Sequence, residues 1–179
     1  MGVDWCSARA RRERTEQLLE TRLPCALVRV IRAKSDKRKT FGFLLIPDFT
    51  TIGFASAVES LRMANLVAKQ TLYKTLVIAA DEQPVRASNG MRVLPDHTIA
   101  DAPKLDALFV VGSNPINPKN DRTMLNWLRD LAHEQIPLGG ICTGSYLLAC
   151  ANLLKGYRCT IHWEDIEQLK DKFPGIIIS

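Results

Sequence analysis

The 179-residue chain is 46% hydrophobic, enough for one ordinary core, and it holds no low-complexity block long enough to divide that core. Its formal charge of +5 is unevenly placed: residues 1–40 carry 11 Lys+Arg against 5 Asp+Glu, whereas residues 41–179 carry 13 against 14. A body so near neutrality excludes a broad basic face for nucleic acid on the domain itself, and no apolar run approaches the ~20 residues that a membrane-spanning helix needs.

Residues 1–40 read as a basic, flexible extension, rich in Arg and Glu from Arg9 to Arg22 and apolar from Leu23 to Ile31 with Pro24 inside. The apolar stretch is too short and too far from the basic start for a signal peptide, and Glu13, Glu16 and Glu20 count against a transit sequence. The extension is therefore set apart from a globular domain spanning residues 41–179. Five cysteines, Cys6, Cys25, Cys142, Cys150 and Cys159, form an odd set without C-x-x-C or any His/Cys metal spacing. Free thiols in a reducing cytosol are expected, with no metal and no cofactor.

From Phe41 the chain alternates in type. Phe41 to Pro47 is a short apolar run that reads as a buried strand, and Phe54 to Ala68 follows with helical spacing of apolar residues, Glu59, Arg62 and Asn65 being the polar exceptions. Leu72 to Ala80 is β-rich, and Val85 to Leu94 reads as a hairpin pivoting on Asn89-Gly90. Leu105 to Val111 is a strand whose unbroken apolar end suits burial on both faces. Arg122 to Glu134 is helical, Pro137 to Ile141 is a strand, Tyr146 to Leu154 is helix-forming and Asp165 to Lys172 is a short charged helix. Strand and helix alternating in this way predict an α/β fold, a doubly wound, flavodoxin-like, mostly parallel sheet with helices on both faces. The last segment, Gly175 to Ser179, reads as another buried strand, and a continuation beyond it is expected to complete the fold.

Between the strand ending at Ile141 and the helix that follows lies Gly139-Gly-Ile-Cys-Thr-Gly-Ser145, which places Cys142 on a strand-to-helix turn. A side chain there is pushed outward at the carboxyl end of the sheet. Ligands in such folds bind outside the carboxyl ends of the strands, where Pro47, Gly112 and Cys142 all fall.

These residues carry a resemblance. Gly139 to Gly144, Leu153-Leu-Lys-Gly-Tyr-Arg158 and Thr160-Ile-His-Trp163 resemble the cysteine-elbow superfamily of PfpI-type proteases, glyoxalase-like proteins and isocyanide hydratases, over about Phe41 to Ser179. Within it, Ala55 to Asn65 and Val85 to Gly90 are similar to the amidase-like sensor domains of GlxA-like, AraC-type transcriptional regulators. That resemblance implies a cytoplasmic, dimeric ligand sensor followed by a helix-turn-helix DNA-binding domain, which these 179 residues do not contain. It also implies a small nitrogenous ligand, such as an amino acid, a betaine or carnitine.

Two departures from the enzymes bear on function. The proteases place a histidine directly after the cysteine, and here that residue is Thr143. The enzymes also hold an acidic side chain beside the thiol, from the loop after the first strand. Here that position falls near Gly53, within Thr50-Thr-Ile-Gly-Phe54, which has no carboxylate. His162 is the remaining candidate partner for a vestigial Cys142 nucleophile, and a purely structural histidine fits the sequence equally well. In the sensor reading, Cys142, Thr143 and His162 are pocket walls and Gly112-Ser113-Asn114 offers donors to a ligand carboxylate. Three roles are open to Glu59: contact with the cationic end of a ligand, a salt bridge with Arg62, or a cap on a neighbouring loop. A cysteine-dependent hydrolase or hydratase of the PfpI/isocyanide hydratase type is the alternative function.

Overall fold

The computed structural model describes residues 38–113 and 122–178. The expected extension therefore lies outside the described residues except at its end, where the first strand, β1 (Lys39–Leu45), begins two residues before Phe41. Lys39 and Thr40 are tied in by Asp106: its carboxylate accepts from Lys39 Nζ and from the Thr40 amide, each at 2.8 Å.

β1 is the centre of a five-stranded sheet of order β5-β2-β1-β6-β7, and every pairing in it is parallel. Its partners are β2 (Tyr73–Ala79), β5 (His97–Thr98), β6 (Ala107–Val111) and β7 (Leu138–Ile141). The apolar runs explain this placement. Phe43, Leu44 and Leu45 of β1 and Leu108, Val110 and Val111 of β6 are almost wholly buried, each contributing about 1.5–3 kcal/mol relative to exposure. Such strands find that burial only between two helical layers.

The helices are α1 (Thr51–Ala68), α2 (Arg122–His133), α3 (Gly144–Cys150) and α4 (Ile166–Lys172). α2 seats Met124 and Leu128 in the main core, and α3 adds Leu147 and Leu148. Cys150 is half-buried and packs against a second cluster formed by Tyr146, Ala149, Ile161 and Leu169. Tyr146 is anchored there by Lys172, whose ammonium donates to its hydroxyl at 2.5 Å.

The hairpin is present as β3 (Val85–Arg86) paired antiparallel with β4 (Arg92–Val93). Its strands are only two residues long, so the loop is wider than a two-residue turn. Gly90 takes φ +89, and the Asn89 carboxamide oxygen accepts from the Met91 amide at 3.1 Å. The final strand differs from expectation. β9 (Ile177–Ile178) pairs in parallel with β8 (Arg158–Cys159) in a separate two-stranded sheet, and Ile177 is 53% exposed. Pairing away from the main sheet leaves it without a second apolar layer.

Candidate functional site

Three loops at the carboxyl ends of β1, β6 and β7 are stitched together by backbone hydrogen bonds. The Thr50 amide donates to Gly112 O at 3.0 Å, and the Gly112 amide donates to Ile141 O at 3.2 Å. The β7 loop carries Cys142 at φ +56, a left-handed conformation that costs a non-glycine residue on the order of 1–3 kcal/mol. The flanking glycines make this turn sterically feasible. A Cβ on Gly144 would stand 1.9 Å from Val110 O, and one on Gly140 would stand 2.5 Å from the Ser145 amide nitrogen. The elbow therefore depends on G-x-C-x-G as a unit, the cysteine counterpart of the strained nucleophile turn on α/β-hydrolase sheets.

A fourth segment is drawn to the same place. The Ser145 hydroxyl donates to Thr160 O at 2.9 Å, which sets the following Ile161 to Asp165 beside the elbow. The result is an open cavity of about 590 Å³ lined by Thr50, Ile52, Gly53, Ser113, Ile141, Cys142, His162 and Glu164.

Of the residues singled out in the sequence, Ser113, Cys142 and His162 meet in this cavity. Asn114 lies outside the described residues. Thr143 is buried behind the turn, and its hydroxyl donates to Ser113 O at 2.7 Å. That bond fixes the β6 loop to the elbow. Gly112 spends its amide on Ile141, so its part is to join the loops, and the donor expected from it is not offered to a ligand. Glu59 is on the exposed side of α1, at 2.7 Å from the Arg62 guanidinium. That hydrogen bond holds its carboxyl below the usual range. Of the roles open to it, the structure forms the salt bridge, and Glu59 is not among the cavity-lining residues.

The acids of the site come from elsewhere. His162 Nδ1 is 3.8 Å from Glu164 Oε2 and 3.9 Å from Asp165 Oδ2, and its ring lies 5.7 Å from that of the exposed Trp163. Asp165 is buried; neither its Oδ2 nor His162 Nδ1 has a hydrogen-bond partner. Burial pushes the Asp165 carboxyl above the usual range; His162 opposes this shift and Glu164 adds to it. Sequence reasoning missed both acids because Glu164 and Asp165 sit where helices ordinarily carry acidic first-turn residues. Their one available signal was adjacency to His162.

The segment read as a loop after β1 is in part helix, since Gly53 lies in the first turn of α1. Gly53 lines the cavity, and a Cβ there would meet Thr50 Cγ2 at 2.8 Å and Ile141 Cγ2 at 2.9 Å. A side chain at this position would therefore crowd two methyl groups. The arrangement thus combines a thiol on a strained turn, an imidazole backed by two carboxylates and a wall of hydroxyl and methyl groups.

Fold and elbow together define a flavodoxin-like α/β domain with its cysteine at the nucleophile turn. Residues 39–174 match the DJ-1/PfpI family, and the chain belongs to that family. Among similar proteins are two HTH-type transcriptional regulators of Pseudomonas aeruginosa. GbdR is 39% identical over 141 residues, covering 79% of this chain and 38% of the regulator. CdhR is 44% identical over 140 residues, covering 78% and 41%. The crystal structure of an AraC family transcriptional regulator from Pseudomonas putida superposes with a TM-score of 0.71 at 26% identity, covering 79% of this chain and 76% of that one. The chain spans about two fifths of the length of the curated regulators it matches.

Proposed function

We propose that this chain is the ligand-sensing domain of an AraC-type transcriptional regulator. It binds a small nitrogenous metabolite, an amino acid, a betaine or a carnitine-like molecule, in the cytoplasm. Two copies act together, and the ligand changes their arrangement and so the DNA affinity of an attached helix-turn-helix domain. A ligand does this only through different affinities for the two arrangements. The observation that carries the reading is Gly53. The position that supplies an acid to the thiol in the superfamily's enzymes is here a glycine whose Cβ would crowd two methyl groups, while the cavity it borders stays open. The similarity to GbdR and CdhR over the same domain supports it. Among the described residues no helix is long and apolar enough to cross a membrane.

In this reading Cys142 is a wall of the pocket, and Glu164 takes the part first considered for Glu59, facing the ligand's cationic end across the cavity from Ser113. The test is a thermal-shift screen against amino acids, glycine betaine and carnitine, on wild type and Cys142→Ala in parallel. Saturable stabilisation of about 2–3 kcal/mol at a hundredfold excess over Kd, surviving the substitution and without ligand turnover, is expected. Ligand consumption that disappears with Cys142→Ala would instead establish a cysteine-dependent hydrolase or hydratase.

A further inference from the structure

Two buried atoms beside the cavity have no partners. His162 Nδ1 and Asp165 Oδ2 are both shut off from solvent and neither makes a hydrogen bond, although native structures leave few such groups unmet. Asp165 is 6% exposed, whereas the His162 side chain is still 31% exposed and lines the cavity. With Nδ1 sealed, the edge of the ring left to meet the cavity is the one that carries Nε2.

The surroundings of Nδ1 decide which ring nitrogen holds the proton. Glu164 Oε2 and Asp165 Oδ2 stand 3.8 and 3.9 Å from it, and carboxylate oxygens only accept. A lone pair on Nδ1 would face two negative oxygens, whereas an N–H there turns positive charge toward both. In the neutral ring the proton therefore sits on Nδ1, and Nε2 keeps its lone pair. Among the described residues lining the cavity, the only other titratable group is Cys142 on the elbow. Those from the start of α1 and the ends of β6 and β7 are uncharged.

The rest of the lining bears on which cation fits. A quaternary ammonium is held through aromatic faces, and among the described residues no Phe, Tyr or Trp lines this cavity. Trp163, next in sequence to His162, is 73% exposed and outside the lining. An ammonium with an N–H, in contrast, finds an acceptor in Nε2 and a negative charge in Glu164.

We propose that His162 selects the ligand by offering Nε2 to the cavity as a hydrogen-bond acceptor, so that the pocket takes a cation bearing at least one N–H and disfavours a quaternary ammonium. This rests on the sensor reading and narrows it to amino acids and their partly methylated forms, with the betaine and carnitine class set apart. Protonation reverses the role. A ring protonated on both nitrogens is a donor at Nε2 and repels the ligand's cation, so affinity falls as the ring gains its second proton.

The test is a methylation series on the 179-residue chain. Glycine, sarcosine, dimethylglycine and glycine betaine share one carboxylate and one positive charge, and offer progressively fewer N–H groups, down to none. Calorimetry should show wild type binding dimethylglycine at least about tenfold more tightly than glycine betaine, with the preference abolished in His162→Phe. Affinity for dimethylglycine should drop about tenfold per pH unit below the midpoint at which NMR shows this ring titrating. Nitrogen-15 NMR of the wild-type ring without ligand should find the proton on Nδ1, a readout that stands even where the variant does not fold. A proton found on Nε2, as when a protonated Asp165 donates to Nδ1, overturns the proposal. Glycine betaine bound as tightly as dimethylglycine also overturns it, and leaves the sensor reading standing. An Nδ1 proton with no binding of any of the four compounds does the reverse: it upholds Nε2 as the acceptor and counts against the sensor reading.

Discussion

Two aspartates show how single residues tune this domain in opposite directions. Asp101 accepts from the Thr98 hydroxyl and amide, each at 2.6 Å, and lies 3.1 Å from His97 Nδ1. The Thr98 bonds first, and His97 after them, hold its carboxyl down at about 2. Asp165, buried behind His162, is shifted upward by desolvation. The signs follow from linkage. A lowered carboxyl contributes stability that is present above its unfolded value near 3.8 and is lost as pH falls toward 2. A raised one contributes stability that is complete below that value and is lost as pH climbs through the folded one. Urea unfolding from pH 2 to 7 should therefore show Asp101→Asn less stable than wild type at neutral pH and converging with it below pH 4. Asp165→Asn should gain on wild type as pH rises above 4. An Asp165→Asn variant that loses ground over that range would mean that its carboxylate holds His162 through a hydrogen bond and is not simply stranded by burial.

At the scale of elements, the sequence shows most where one physical cause acts alone. β1 and β6 were legible because unbroken apolar runs have few other ways to be buried, and the cysteine turn was legible because glycine spacing and a strand-to-helix switch coincide there. β5 was not, since His97 and Thr98 make only two ladder pairs with β2 and carry no apolar pattern. The first turn of α1 was missed because Thr50-Thr51-Ile52-Gly53 reads as β-branched loop, and tertiary packing overrides that propensity. Glu59 was misleading in a related way: its place on α1 is as expected, but the resemblance says nothing about which way its side chain faces. Asn65 was read only as a polar exception, yet it fastens the helix to the sheet. Its Oδ1 accepts from the Leu72 and Tyr73 amides at 2.8 and 2.9 Å, and its Nδ2 donates to Tyr73 O at 2.8 Å. Asn65→Ala should cost about 1–3 kcal/mol in urea unfolding, because half-buried backbone groups lose their partners. Asn65→Asp, which keeps both acceptor bonds, should cost less. Equal losses would assign the effect to the donor alone.

For the whole molecule, the distribution of charge decides what the chain can hold onto. On the body, Arg62 pairs with Glu59, Arg86 with Asp48, Lys170 with Glu167 and Lys39 with Asp106. Beyond these pairs, the 13 Lys+Arg of residues 41–179 are balanced by 14 Asp+Glu, so the body offers little net positive charge to DNA, and the net surplus of the sequence lies in residues 1–40. GbdR and CdhR, of which this chain spans 38% and 41%, are regulators whose remaining length has no counterpart in these 179 residues. If operator recognition belongs to such a partner domain, the 179-residue chain should retard any DNA fragment alike, through its basic extension. That retention should collapse between about 50 and about 200 mM salt, as binding through a handful of phosphate contacts does. Gel shifts on a random fragment and on a promoter fragment, compared across that salt range, measure this directly. Tight retention of the promoter fragment alone at physiological salt would place the DNA-reading surface on this domain. It would then have to be a surface other than the neutral body described by these ion pairs.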